Sequence, residues 1–425
     1  MDIRIIKATL GGQVRAAASK SQAHRLLICA ALSDSNTRII CPERSADIDA
    51  TTACLNALGA AITYAGDGFD VKPIDIGCHR GGNRLDCGES GSTLRFLLPL
   101  ACALGADAAF YMSGGLPNRP LSPLYEELLA HGCRMSAQGS VPLKVAGSLK
   151  NGNFTLPGNV SSQFISGLLF SLPLLSGDSS IMVTGVTESG PYIDMTVSAL
   201  KTFGVDIIRC EGNFYIKGNQ AYRSPGTVNT EGDWSNAAFW LCAGAIGAGR
   251  GSITCTNLNP DSLQGDKAVT DILERFGARI IYGEDRVTVS PGELRGIEID
   301  AGDIPDLVPV LAAVASVSAG KTVIKNAGRL RIKESDRLRA TAGLLSGLGA
   351  DVTETQSGLE IYGKMHLAGG AADSCNDHRI AMTAAVLSSV CENPVTIASA
   401  DAVNKSYPGF FRDFAVLGGI YEEVI

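Results

Sequence analysis

Six times along the chain, an amphipathic helical stretch ends in an apolar residue or histidine followed by glycine, and a strand-like stretch comes next. The pairs are Leu58-Gly59, His131-Gly132, Phe203-Gly204, Phe276-Gly277, Leu348-Gly349 and Leu417-Gly418. Successive glycines are 73, 72, 73, 72 and 69 residues apart. Glycine just past a helix end takes the left-handed conformation with no Cβ clash, which suits it to stop a helix. The stretches that follow, such as Val205 to Arg209 and Ala278 to Tyr282, mix apolar and polar residues as half-buried strands do. One such ending means little, but six at near-equal spacing mark an internal repeat.

A second series interleaves with the first. Polar or glycine-containing tips open apolar helices near Lys20, Gly91, Ser161, Trp234, Asp306 and Asp377, at intervals of 71, 70, 73, 72 and 71 residues. Each repeat is therefore predicted to read β-α-β-α-β-β. The first helix of each pair, as in Ile165 to Leu175, is apolar nearly all round and must sit inside. The second, as in Thr270 to Phe276, is more amphipathic. A chain of 425 residues exceeds one compact core, so three repeats per lobe are expected. The crossover is expected in the turn-forming stretch Tyr222 to Gly226. The lobes are then residues 1–17 with 229–425, and residues 18–228.

The tips matter because the first-turn N–H groups and the macrodipole of a helix attract anions. The formal net charge of -7 argues against holding nucleic acid or an anionic membrane by bulk charge. Local basic clusters then call for a small anionic partner or none. Among the 12 cysteines the closest pair is Cys78 and Cys87, and no Cys-x-x-Cys occurs. They are expected to be core thiols in a reducing compartment. The N-terminus shows no signal-peptide apolar region, and the longest apolar stretch, Ala237 to Gly249, is too short to cross a membrane. A soluble, cytoplasmic, monomeric protein is expected, with no metal cluster, P-loop or dinucleotide fingerprint.

Individual motifs allow two readings each. In Ser19-Lys20-Ser21 with Arg25, Ser21 is placed to cap the first helix, and the set offers ammonium, guanidinium and amide donors to one phosphate. An ordinary capped helix with solvated charges fits equally well. Ser161-Ser162-Gln163 is either a capping turn or a ligand-binding tip, and the glycine loop around Gly91 allows close backbone approach. Lys333, Glu334 and Arg337 lie in a basic run from Arg329 to Arg339, with Lys333 and Arg337 expected on one face near a helix start. Cations near a helix start oppose the dipole and suggest a bound anion, although a salt-bridged surface helix is the default. Arg379 repeats that oddity, while His378 is read as structural. Asp306 could be nothing more than a helix cap. Arg119 and Lys405 sit in loops.

Taken together, Ser19-Lys20-Ser21 with Arg25, Val160-Ser-Ser-Gln163, Pro191-Tyr-Ile-Asp194, Lys333-Glu-Ser-Asp-Arg337, Asn376-Asp-His-Arg379 and Lys405 resemble the signature series of 5-enolpyruvylshikimate 3-phosphate synthases, in order and over the full length. The resemblance implies a two-lobed inside-out α/β barrel of six βαβαββ repeats. It implies transfer of the enolpyruvyl group of phosphoenolpyruvate to the 5-hydroxyl of shikimate 3-phosphate, with no cofactor. Lys20, Ser21, Arg25, Ser161, Ser162, Gln163, Ser189, Asp306 and Lys333 would hold shikimate 3-phosphate. Lys20, Gly91, Arg119, Gln163, Arg337, Arg379 and Lys405 would hold phosphoenolpyruvate. Asp306 would act as base, and Glu334, with Lys20, as acid. The phosphonate inhibitor glyphosate would compete at the Gly91 loop.

The chain departs from that family's usual pattern at Glu89 and Arg329, each where asparagine is expected, and at Gly190, where a basic residue is common. Two other readings compete. A transferase acting on UDP-N-acetylglucosamine shares the fold, but usually opens with Lys-Asn and carries a loop cysteine that is missing around Arg119. A non-catalytic ring enclosing DNA would need basic residues along its inner helices, and these are apolar.

Overall fold

The computed structural model describes residues 1–75, 82–247 and 251–424. Cys78 and Gly249 lie outside the described residues. The chain divides into two compact units, Ala18–Thr230 and Met1–Ala17 with Glu231–Ile425. It passes between them after Ala17 and after Thr230, so the Tyr222 to Gly226 stretch belongs to the first of these units.

The unit of residues 18–230 holds α1 (Lys20–Ala31), α2 (Ala46–Ala57), α3 (Gly91–Ala103), α4 (Leu124–Ala130), α5 (Ser162–Ser171) and α6 (Gly190–Thr202). The other unit holds α7 (Trp234–Ile246), α8 (Val269–Phe276), α9 (Val308–Ala315), α10 (Arg337–Gly347), α11 (His378–Leu387) and α12 (Phe410–Val416). Among the described residues each unit has its own apolar core and three four-stranded sheets. In every sheet one edge pair of strands is parallel and the other two pairs are antiparallel. Parallel pairing needs a crossover, and α3, α5, α9 and α11 supply it in four of the sheets. In α7, α9 and α11 every residue is buried, as their all-round apolar sequences require. No helix among the described residues is long and apolar enough to cross a membrane.

All six helix-ending glycines have positive φ: 111° at Gly59, 96° at Gly132, 75° at Gly204, 110° at Gly277, 94° at Gly349 and 100° at Gly418. Five of the six tips carry a side-chain cap. Ser19, not Ser21, caps α1, its side chain accepting from the Gln22 N–H at 3.3 Å. Ser90, Ser161, Asp233 and Asp377 cap α3, α5, α7 and α11 in the same way. Asp306 caps nothing; it lies in a 3-10 turn, Pro305–Leu307, ahead of α9.

The repeats are not closed over consecutive sequence. Strand Thr227–Asn229 pairs with Thr37–Ile40 and completes the sheet of the first repeat. Strand Gly12–Arg15 pairs with Ile253–Thr256, and Asp2–Ala8 lies between Val395–Ala398 and Gly419–Val424. Eight of the described cysteines are buried, while Cys210 and Cys375 are exposed and so are not core thiols.

Candidate active site

In the unit of residues 18–230 the predicted residues fall into two adjoining groups. Arg25, one turn into α1, is buried and spends its donors on neutral oxygens. Its Nη1 donates to the Ser21 carbonyl at 2.6 Å, Nη2 to the Tyr192 carbonyl at 2.7 Å and Nε to Thr196 Oγ1 at 2.9 Å. Burial with no carboxylate partner pushes its guanidinium down to about 10. Lys20 Nζ donates to Asp47 Oδ2 at 3.0 Å. Ser189 begins α6 in a left-handed conformation, φ 55°.

The second group gathers Gly91, Arg119 and Gln163. The Arg119 guanidinium lies so close over Gly91 that a Cβ there would be 2.7 Å from Nη1. Gln163, at the start of α5, is held at both ends of its amide. Oε1 accepts from Arg95 Nη1 at 2.9 Å and Nε2 donates to Ser92 Oγ at 2.9 Å. Arg95 also donates to the Pro120 carbonyl at 3.2 Å, beside Arg119. Pro99 has no N–H to offer the Arg95 carbonyl, and Gly167 of α5 packs there, where a Cβ would lie 2.3 Å from that oxygen. Helices α3 and α5 are thereby packed closely along their middle turns. Ser161 caps α5, and Ser162 is its first residue.

The other unit assembles an ion network. Asp306 Oδ1 accepts from Arg337 Nη1 at 2.8 Å and lies 3.6 Å from Lys333 Nζ. Its Oδ2 accepts from Arg379 Nη2 at 3.2 Å, and its carbonyl from Arg379 Nη1 at 3.0 Å. Glu334 pairs with Arg337 Nη2. Asp377 takes Arg337 Nε at 2.7 Å and Nη2 at 3.2 Å while capping α11. Lys405 Nζ donates to the Asn376 carbonyl at 2.6 Å, next to Asp377. Burial would raise the Asp306 carboxyl, but Arg379, Lys333 and Arg337 hold it well below the ordinary range. Burial lowers Lys333 from its usual value, against the pull of Asp306. Beneath them Asp266, bonded to Ser235, is pushed up to about 6 by burial and by Asp306.

These contacts correct the reading of the basic run. Lys333 and Arg337 do not share a helix face, because only Arg337 belongs to α10, and Lys333 and Glu334 precede it in irregular chain. Arg337 is 1% exposed and bonded to three carboxylates, which offset its place at a helix start without any added anion. Glu89 turns toward the 114 loop, where a Cβ on Gly114 would meet its Cδ at 2.5 Å. Arg329 donates to the Gly302 carbonyl at 2.8 Å. A Cβ at Gly190 would meet nothing within 4 Å.

Asp47, Arg95, Asp266 and Asp377 carry this geometry without having been singled out for a role. Arg95 was within reach, since it lies four residues after Gly91 and so on the same face of α3. Asp377 was recognised only as a tip. Nothing local to Asp47 or Asp266 announces a partner.

Residues 5–414 match the family described as EPSP synthase (3-phosphoshikimate 1-carboxyvinyltransferase). The chain belongs to the EPSP synthase family. It is 45% identical over 99% of its length, and 98% of the relative's, to the 3-phosphoshikimate 1-carboxyvinyltransferase of Clostridium kluyveri. It is 44% identical, over 99% of both chains, to that of Clostridium perfringens. Among solved structures, an EPSP synthase from Acinetobacter baumannii matches with a TM-score of 0.83 at 23% identity, covering 99% of both chains. The enolpyruvyl transferase NikO from Streptomyces tendae matches at 0.79 and 20% identity, covering all of this chain and 98% of that one. These two similarities speak to the fold, a mixed α/β architecture shared with EPSP synthases and enolpyruvyl transferases.

Proposed function

We infer that the chain catalyses transfer of the enolpyruvyl group of phosphoenolpyruvate to the 5-hydroxyl of shikimate 3-phosphate, releasing phosphate. The observation that carries this is the family match across nearly the whole chain, with relatives at 44 and 45% identity that bear the name of that activity. It favours neither the nucleotide-sugar acceptor nor the DNA ring. Action as a cytoplasmic monomer, with no nucleic acid or membrane partner, is part of the proposal.

The assignment of residues rests on the family resemblance, and the local chemistry supports it. Lys20, Ser21, Arg25, Ser161, Ser162, Gln163, Ser189, Asp306 and Lys333 are assigned to shikimate 3-phosphate. Arg25, buried among neutral oxygens, is a cation suited to a phosphate. Lys20, Gly91, Arg119, Gln163, Arg337, Arg379 and Lys405 are assigned to phosphoenolpyruvate. Asp306 accepts the proton of the attacking hydroxyl. Glu334, with Lys20, delivers a proton to the methylene carbon, making its neighbour electrophilic. A tetrahedral adduct forms, its phosphate leaves, and the methyl group returns a proton to restore the enol ether. The cations assigned to the substrate anions are those that hold the Asp306 proton affinity down. When Arg337, Arg379 and Lys333 turn part of their charge to a bound anion, Asp306 becomes the stronger base the reaction needs.

A phosphate-release assay with phosphoenolpyruvate tests the acceptor. Release dependent on shikimate 3-phosphate, and absent with UDP-N-acetylglucosamine, supports the reading. The opposite dependence overturns it.

A further inference from the structure

Inside the unit of residues 18–230, a row of buried polar groups joins three helices whose surroundings are otherwise apolar. His24 Nδ1 lies 2.7 Å from Thr51 Oγ1, and Thr51 Oγ1 lies 2.7 Å from Thr93 Oγ1. Thr93 Oγ1 donates to Ser90 Oγ at 2.8 Å, and Ser90 in turn accepts the Thr93 N–H at 3.3 Å as the cap of α3. None of these four residues is more than 1% exposed. Burying hydroxyls and an imidazole costs stability that apolar side chains would spare, so packing alone does not account for them. Buried hydrogen-bonded networks do something packing cannot: they fix one register among several, and in this row only His24 Nε2 is left without a partner.

The register in question is visible from the spacing. His24 follows Lys20 by four residues on α1, and Thr51 follows Asp47 by four on α2, so each pair shares a helix face. The Lys20–Asp47 ion pair at 3.0 Å and the His24–Thr51 contact are therefore two successive rungs between the same helices. From Thr51 the row continues to Thr93 and Ser90, which set the tip of α3 where Gly91 is the first helical residue. Helix α2 thus gauges the distance between the tip that presents Lys20 and the tip that presents Gly91.

We propose that Thr51, Thr93 and His24 are positioning residues that hold the Lys20 and Gly91 tips at the spacing one phosphoenolpyruvate requires. This rests on the assignment of Lys20 and Gly91 to that substrate. The row touches neither substrate and takes no part in proton transfer.

Thr51→Val in the full-length protein replaces one hydroxyl by a methyl and keeps the β-branched shape. Misplacing a binding group by a fraction of an ångström weakens its contact, so KM for phosphoenolpyruvate should rise roughly five- to twentyfold. KM for shikimate 3-phosphate and kcat should change less, by no more than about twofold, because Lys20 and Gln163 are only part of the set assigned to that substrate and Arg25 is held by Ser21, Tyr192 and Thr196, outside this row. Thr51→Ser, which keeps the hydroxyl, should restore the phosphoenolpyruvate KM. Thr93→Val cuts the same row from the other side and should reproduce the split. An unchanged phosphoenolpyruvate KM in folded Thr51→Val and Thr93→Val proteins overturns the proposal. So does an equal rise in both KM values, or loss of the native circular dichroism spectrum in both variants, since either marks a purely structural role. If the wild-type protein fails to turn over the two substrates, the functional reading fails instead, and the two failures are told apart by that control.

Discussion

Replacing Gly91 by alanine probes a close approach between two residues assigned to phosphoenolpyruvate. The new methyl would sit 2.7 Å from Arg119 Nη1, 3.0 Å from Cζ and 3.1 Å from Nη2. Ordinary contact begins at 3.4 Å, so the guanidinium must retreat by about 0.7 Å, and as the end of a long flexible side chain it can. Gly91 lies in helical backbone at the start of α3, where alanine costs nothing and is favoured over glycine by up to ~1 kcal/mol. Thermal stability should therefore hold or rise slightly. A charge-assisted hydrogen bond to an anion is worth ~1.5–3 kcal/mol. Displacing its donor by that distance should forfeit roughly 1–2 kcal/mol, or about 5- to 30-fold in KM for phosphoenolpyruvate. Glyphosate, if it competes at the same loop, should weaken at least as much. The assay is steady-state phosphate release at saturating shikimate 3-phosphate, with the inhibitor titrated at several phosphoenolpyruvate concentrations. A folded Gly91→Ala protein with an unchanged phosphoenolpyruvate KM would refute the role given to Arg119 beside this glycine.

Asp306→Asn and Glu334→Gln should each lower kcat on the order of 10²–10⁴-fold while altering substrate KM values far less, measured by the same assay. Arg337→Ala leaves Asp377 and Asp306 without their shared cation in a buried setting, and should cost about 3–5 kcal/mol of stability by urea unfolding. Asp266, raised to about 6 when folded, takes up a proton on folding, so its contribution is complete below about pH 4 and lost as pH rises through about 6. Asp266→Asn should accordingly gain ~1–3 kcal/mol over the parent at pH 7–8 and show little difference near pH 4, by denaturation across that range.

The parts of the fold that could be read in the sequence are those fixed within a few residues. Each helix-ending glycine announces itself because φ near +75 to +111° excludes most side chains. The buried helices announce themselves by lacking a polar face. The borrowed strands do not. Thr227–Asn229 completes a sheet with Thr37–Ile40, and Gly12–Arg15 with Ile253–Thr256, and no local property of a short strand names a partner some two hundred residues away. The site divides in the same way. The Lys20, Gly91 and Ser161 tips follow from capping chemistry, although the cap of α1 is Ser19, one residue before the helix begins. The setting of Arg337 was misread because its decisive partner, Asp377, lies 40 residues on and seemed only a tip. Gln163 was legible as a polar residue at an apolar helix tip, but its clamp by Arg95 and Ser92 depends on two helices meeting.

The central claim is addition of the 5-hydroxyl to phosphoenolpyruvate followed by elimination of phosphate, which requires a methyl group to form transiently from the methylene carbon. Running the reaction in deuterium oxide and examining the product by mass spectrometry and proton NMR tests this most directly. The account predicts one phosphate released per molecule of 5-linked enol ether, with deuterium in the vinyl methylene. An enol ether with no deuterium at that carbon, or no enol ether from shikimate 3-phosphate at all, would contradict it.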